Sequence, residues 1–241
     1  MAAVAGSTVL ASGVAMVEVV TSTGTVHLMT GIDTRERLGQ KIRTEDLIKT
    51  IEHRNRSMKG KAEVSCDHDT TQGEYKVMDA AYLLGEVREP EGFSAVLTLA
   101  EDPYFLTRGW AVSSLRAYGD RRSLPTLLTL LKERKSCNGA LVPTISELGD
   151  DTAVVPLIDS IPAGGGCDSE ARLKAIESIT GLSLAEMREQ WGLLYYGDKL
   201  GKFHKAMYMW WNKNKANSKN ARTAEQAVAG YRRQEASQPD P

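Results

Sequence analysis

The residue types best suited to metal chemistry stand together in the segment Cys66-Asp-His-Asp69, where thiol, carboxyl and imidazole groups follow one another. Metal sites in proteins usually draw their ligands from separated positions that converge in space. No second cluster of such residues stands elsewhere in the chain. We therefore interpret this segment as a loop and predict no metal site and no cofactor.

A second candidate for binding chemistry is the run Gly164-Gly-Gly166, which Asp168 follows at the expected start of a helix. Backbone N–H groups at such a position bind anions. The run lacks the lysine of a phosphate-binding P-loop, so we interpret it as a flexible connecting turn.

The segment from Lys202 to Lys215 combines cations with aromatic rings. From Gly201 to Arg222 there are six Lys or Arg residues and no acidic residue. Such a mixture suits single-stranded nucleic acid or an anionic surface. The candidate contact residues are Lys202, Lys205, Tyr208, Lys213 and Lys215.

The same segment also fits a structural cap. Its large apolar residues fall at positions i, i+4, i+7 and i+8, as Phe203, Met207, Trp210 and Trp211. This spacing predicts one apolar helix face that covers the end of a helical array and leaves the lysines in water. We favour the cap.

Catalytic motifs are missing from the sequence. It contains neither G-x-S-x-G nor H-E-x-x-H, and its four histidines (His27, His53, His68 and His204) are scattered. We predict no catalytic residues and expect a protein that is not an enzyme.

Charge is unevenly distributed along the 241 residues. Residues 33–62 carry a net charge of +4, residues 63–199 a net −9, and residues 200–241 a net +5. An acidic central segment is thus flanked by two basic ones. The whole chain is nearly neutral, at −1, which favours no global attraction to nucleic acid or membranes.

Cysteine usage and hydropathy bear on the compartment. The three cysteines, Cys66, Cys137 and Cys167, are odd in number and far apart, which suits a reducing compartment. No apolar run reaches the roughly 18 residues that a membrane span needs. Residues 1–20 are apolar, but the first basic residue is Arg35, so the positive start of a secretory signal is missing. We expect a cytoplasmic protein; the alternative is a secreted or periplasmic one with an incomplete signal.

The elements that would position any site follow from four glycines, Gly85, Gly119, Gly149 and Gly181, spaced by 34, 30 and 32 residues. Eight positions before them stand apolar residues, namely Val77, Ala111, Leu141 and Leu173. Five positions before them stand Ala80, Ser114, Thr144 and Ile176. The pattern predicts four helices, each ending at a glycine in a left-handed C-cap.

A second helix follows each of the first three glycines. Its apolar residues lie five, eight, nine and twelve positions past Gly119 and Gly149, as Leu124, Leu127, Leu128 and Leu131, then Val154, Leu157, Ile158 and Ile161. The first unit matches with three extra residues, as Phe93, Val96, Leu97 and Ala100. An i, i+3, i+4, i+7 stripe is typical of an amphipathic helix. One helix pair cannot bury its own stripe, so neighbouring pairs must stack.

Two of these units resemble the HEAT-like repeat of bilin lyases. The resemblance rests on Leu148-Gly-Asp-Asp-Thr-Ala-Val-Val-Pro-Leu-Ile158 and on Tyr118-Gly-Asp-Arg-Arg-Ser-Leu-Pro-Thr-Leu-Leu128. The first unit departs from it, with Glu86 where the others carry Asp120 and Asp150, and the fourth stops at Gly181. The resemblance implies an all-α fold, an α-solenoid of HEAT-like helix pairs, and does not specify a function.

Known enzymes built on such repeats provide a comparison. A HEAT-like di-iron hydroxylase uses His-Glu pairs, whereas this chain has only the reversed pair Glu52-His53. A HEAT-like DNA glycosylase needs a basic surface, whereas these repeats are acidic. A bilin-lyase-like or other HEAT-type enzyme stays an alternative.

The N-terminal extension, residues 1–72, has a mixed pattern. Residues 14–20 and 25–29 alternate around Thr21-Ser-Thr-Gly24, which suits a β-hairpin, with an apolar helix as the alternative. Residues 33–40 and 44–55 have helical patterns, and residues 60–73 are typical of a loop.

We expect the repeats to span residues 73–181. Capping helices should follow over residues 182–217, and a tail over residues 218–241. Ser183 and Glu186 form a capping-box pattern that opens a helix through Trp191, and a second helical pattern runs over residues 198–217. Residues 222–234 suit a last helix. Thr180-Gly181, Trp191 and Trp210-Trp211 resemble the closing segment of many bacterial HEAT-repeat proteins, although the insert before the tryptophan pair is long.

These patterns predict a scaffold or adaptor that binds a protein or peptide partner on the repeat surface. The alternatives are a HEAT-type enzyme and a nucleic-acid-binding module that uses the basic flanks. The predicted core comprises Val77, Leu84, Leu97, Leu115, Leu127, Leu131, Leu141, Leu148, Leu157, Ile161 and Ile176.

Overall fold

The computed structural model describes residues 15–30, 40–64, 69–133, 139–162, 167–194 and 200–221. Its strands are β1 (Ala15–Thr21), β2 (Gly24–Thr30) and β3 (Gln40–Arg43). Its α-helices are α1 (Thr44–Met58), α2 (Gln72–Val87), α3 (Pro90–Leu99), α4 (Phe105–Tyr118), α5 (Leu124–Lys132), α6 (Leu141–Leu148), α7 (Val154–Asp159), α8 (Cys167–Thr180), α9 (Ala185–Leu194) and α10 (Leu200–Asn214). The chain divides into two compact units, Met1–Thr126 and Leu127–Pro241.

A three-stranded sheet opens the first unit, in the order β2-β1-β3. β1 and β2 are antiparallel, with Thr21 opposite Gly24 across a two-residue turn. Val17 and Val19 are fully buried, as expected for alternate positions on one sheet face. The hairpin expected from the alternating pattern is therefore present, and the apolar-helix alternative is wrong.

The third strand, β3, runs parallel to β1 and was not expected from the sequence. Gln40, predicted to end a helix, begins this strand instead. The rest of that predicted helix, residues 33–39, lies outside the described residues. A four-residue strand with one aliphatic residue, Ile42, carries no alternation that sequence analysis could detect.

The predicted helix over residues 44–55 is confirmed as α1. The Thr44 hydroxyl donates a hydrogen bond to the Val20 carbonyl, at 3.1 Å, and so joins the start of α1 to the sheet. Leu47 and Ile51, one helical turn apart, are buried. This face of α1 packs against α2 and α3.

The first repeat corrects the predicted role of Gly85. This glycine lies inside α2, and the left-handed C-cap is Arg88, with φ +55°. The C-cap of α2 therefore lies three residues after Gly85. This shift accounts for the three extra residues between Gly85 and the second helix of the first unit. Gly85 is needed for close packing, because a Cβ atom there would lie 2.9 Å from Ser114 Cα on α4.

Two of the other glycines behave as predicted. Gly119 and Gly181 are left-handed C-caps, with φ of +69° and +72°. Gly149 follows α6 but is extended, with φ −71°, so its predicted left-handed conformation is wrong. A Cβ atom at Gly149 would approach the Ile145 carbonyl oxygen to 2.4 Å, so tight packing and not backbone handedness favours glycine there.

The Asp residues that follow Gly119 and Gly149 make equivalent hydrogen bonds, although the two glycines differ in conformation. The carboxylates of Asp120 and Asp150 accept hydrogen bonds from the backbone N–H groups of Arg122 and Thr152, at 2.8 and 2.9 Å. Each Asp opens a short 3-10 turn, and these turns lead into α5 and α7. An Asp side chain at this position satisfies backbone donors at the helix start.

The described regular structure from residue 73 to 181 is helical, apart from one backbone bridge between Val64 and Tyr104. The predicted all-α class is therefore confirmed. All the predicted core residues are buried except Leu97, which is half-buried. In the second unit α6 and α7 pack against α8, and α10 packs against α7 and α9.

Candidate functional site

A groove lies between α5 and α7, the second helices of two successive repeats. Its volume is about 460 Å³, and its lining residues are Leu128, Thr129, Leu131, Lys132, Pro156, Asp159 and Ser160. The sequence pattern places both helices in the same way, because each follows a Gly-Asp turn at the same spacing. The groove is thus a product of the repeat itself.

The apolar stripe of α5 is divided between core and groove. Leu127 is fully buried and Leu131 nearly so, while Leu128 is only half-buried. On α7, Leu157 and Ile158 are fully buried. Part of the Leu128 side chain is therefore left exposed on the groove floor.

Hydrogen bonds from α8 and α10 hold the α7 side of the groove. The Tyr208 hydroxyl donates to the Asp159 carboxylate, and Arg172 Nε donates to Ser160 Oγ at 2.9 Å. Ser160 Oγ donates in turn to the Leu157 carbonyl, at 2.9 Å. Since the Ser160 proton is directed at a backbone carbonyl and not at a base, this hydroxyl is not arranged as a nucleophile.

The predicted contact residues of α10 divide into three groups. Lys202, Lys205 and Lys213 are exposed, and Tyr208 is half-buried beside the groove. Lys215 lies beyond α10 in a 3-10 turn, where its Nζ lies 3.4 Å from Asn212 Oδ1. The structure therefore brings three of the predicted lysines to one exposed surface and places Tyr208 at the groove.

The opposite face of α10 is buried. Phe203 and Met207 are fully buried, Trp211 is 8% exposed, and Trp210 is half-buried. This burial agrees with the cap inferred from the spacing of the apolar residues. It also leaves the aromatic rings poorly placed to stack on nucleic-acid bases.

The other sequence candidates contribute no described site. Cys66 to His68 and Gly164 to Gly166 lie outside the described residues. Within the part of the chain that the structure describes, no three metal-ligating side chains come together. No described helix is long and apolar enough to cross a lipid bilayer.

A buried ionic cluster in the first unit was not anticipated. Arg54 Nε lies 2.7 Å from Asp102 Oδ2, and its Nη2 lies 3.4 Å from Glu74 Oε1. Burial lowers the pKa of Arg54, but the two carboxylates raise it more, so the net pKa lies above its usual value. The cluster has the burial and pairing of a structural clamp.

Comparison with known proteins agrees with the repeat geometry. A family model described as PBS lyase HEAT-like repeat matches residues 107–133, which cover most of α4, the Asp120 turn and α5. No curated protein and no solved structure matches the chain significantly. Residues 107–133 are thus similar to a PBS lyase HEAT-like repeat.

Proposed function

We propose that this protein is a non-catalytic scaffold or adaptor, and that the groove between α5 and α7 binds a peptide segment of a protein partner. The observation that carries the proposal is the half-buried leucine surface between equivalent helices of successive HEAT-like repeats. Repeat proteins present such surfaces for recognition along the stack.

The lining indicates the chemistry of the bound segment. Leu128 and Pro156, both half-buried, provide the apolar floor, while Lys132 and Asp159 place one charge of each sign at its edges. Apolar side chains of the partner peptide would contact the floor. An acidic residue of the peptide near Lys132 and a basic one near Asp159 would determine the direction in which the peptide binds. We place this scaffold in the cytoplasm, since its three distant cysteines suit a reducing compartment.

Affinity capture from the native source tests the proposal with two matched variants. Leu128→Glu places a charge on the groove floor, whereas Val155→Glu makes the same kind of change at an exposed residue of α7 outside the lining. We expect a protein that the wild type captures to be lost with Leu128→Glu and retained with Val155→Glu. Equal capture by both variants would show that the groove is not the binding surface.

A further inference from the structure

The exposed face of α10 forms a separate surface, which we call the α10 ridge: Lys202, Lys205, Met209 and Lys213. These residues lie at offsets of three, seven and eleven from Lys202, so they follow one stripe of the helix. The three lysines are exposed, and Met209 is 66% exposed. Phe203 and Met207 are fully buried on the other face, so the ridge is held outward.

The ridge carries positive charge that nearby residues do not neutralise. Residues 200–221 contain five lysines and no acidic residue. In the part of the chain that the structure describes, Lys202, Lys205 and Lys213 have no carboxylate partner within ion-pair distance. The ridge therefore attracts anions, and this attraction weakens as salt screens it.

Met209 indicates which kind of anionic ligand the ridge binds. It is the most exposed of the large hydrophobic side chains in the described residues, and it lies between lysines four positions before and after it. A phosphodiester backbone offers charge but no apolar partner for this side chain. A lipid surface offers both, since its anionic headgroups lie directly above acyl chains.

We propose that the α10 ridge attaches the protein reversibly to an anionic lipid surface. The lysines contact the headgroups, and Met209 enters the boundary between headgroups and acyl chains. This attachment does not depend on the function proposed for the groove.

Co-sedimentation with lipid vesicles tests the proposal on the full chain. The probes are vesicles of phosphatidylcholine alone and of phosphatidylcholine with phosphatidylserine, at low salt. We expect binding only to the vesicles with phosphatidylserine. The triple variant Lys202→Glu, Lys205→Glu, Lys213→Glu should lose at least roughly a hundredfold in affinity, because the loss of each lysine near such a surface costs about a factor of five and the added carboxylates repel the surface.

The control is a second triple variant, Lys49→Glu, Lys59→Glu, Lys76→Glu, which changes net charge equally at exposed lysines of the first unit. It should keep most of the binding, whereas Met209→Ala in the wild type should weaken it several-fold. Absence of vesicle binding, or equal losses in the two triple variants, would overturn the proposal. So would binding unaffected by Met209→Ala, or tighter binding to oligo-deoxythymidine than to the anionic vesicles.

Discussion

Arg54 on α1 and Asp102, between α3 and α4, form a two-pronged ion pair across 48 positions of sequence. Arg54 Nε donates to Asp102 Oδ2 at 2.7 Å, and Nη2 donates to Oδ1 at 3.0 Å. Asp102 Oδ1 also accepts from the Tyr104 backbone N–H, at 2.8 Å. The side chains are 13% and 1% exposed. The pair therefore attaches the helix after the sheet to the first repeat.

Removing one member of this pair should be costly, because the other would remain buried without its partner. We expect Arg54→Ala to lower the free energy of unfolding by about 3–5 kcal/mol in urea denaturation. Lys49→Ala is the matched control, since Lys49 pairs with Asp46 on the same helix where both side chains are more than half exposed. That control should change stability by less than about 0.5 kcal/mol. Equal effects of the two variants would contradict a structural role for the buried pair.

A second ion pair, between Glu177 and Arg188, should make stability depend on pH. Arg188 donates to both Glu177 carboxylate oxygens, at 2.6 and 2.7 Å, and hydrogen bonding from Arg188 holds the pKa of Glu177 below its usual value. A lowered folded-state pKa stabilises the fold above the unfolded-state pKa, and the stabilisation disappears as pH falls through the folded-state pKa. Near neutral pH, Glu177→Gln should therefore be less stable than the wild type by roughly 1–3 kcal/mol.

Thermal melts of the wild type and Glu177→Gln at descending pH provide the test. Their difference should be constant near neutrality, begin to shrink near pH 4.5, the usual pKa of the group, and vanish at lower pH. A difference that does not change with pH would show that charge on Glu177 contributes nothing to the fold.

Gly85 should tolerate no side chain, because α2 and α4 touch there. A Cβ atom would meet Ser114 Cα at 2.9 Å and Ser114 Cβ at 3.0 Å, so we expect Gly85→Ala to cost about 1–3 kcal/mol. Gly201 in α10 has nothing within 4 Å of the same atom, so Gly201→Ala should be neutral or stabilise by up to about 1 kcal/mol. Chemical denaturation measures the free energy of unfolding of both variants. A Gly85→Ala protein more stable than the wild type would contradict the close contact between α2 and α4.

The two faces of α10 should respond oppositely to truncation. Trp211 is 8% exposed, so Trp211→Ala should lower the free energy of unfolding by about 3–5 kcal/mol. Lys213 is exposed, so Lys213→Ala should change it by less than about 0.5 kcal/mol. Thermal melting curves would compare the stability of the two variants with that of the wild type. A Trp211→Ala protein as stable as the wild type would show that the indole does not cover the repeats.

Periodicity predicted the helices well because local apolar spacing largely determines which face of a helix is turned to the core. The same periodicity wrongly placed the C-cap of α2 at Gly85. In the sequence, three extra residues could either lengthen the helix to a C-cap at Arg88, as they do, or form a longer loop after Gly85. The strand β3 was missed because its pairing with β1 is parallel and distant in sequence.

The sequence did not predict contacts between residues that are far apart along the chain. Arg54 and Asp102 stand among many charged residues, and no local pattern distinguishes the buried pair from solvated ones. The groove was also missed, because Leu128 belongs to the same apolar stripe as Leu127 and Leu131 and differs from them only in its burial. On α10, by contrast, spacing alone separated the buried aromatic face from the lysines.

Site-specific photocrosslinking tests the scaffold function most directly. A photoreactive phenylalanine analogue would be placed at Thr129, an exposed residue of the groove, and in a second protein at Val155, an exposed residue of α7 outside it. In extract from the native source, we expect Thr129 to crosslink to one protein partner and Val155 not to do so. Crosslinks of equal yield from both positions, or none from Thr129, would contradict the groove as the partner-binding surface.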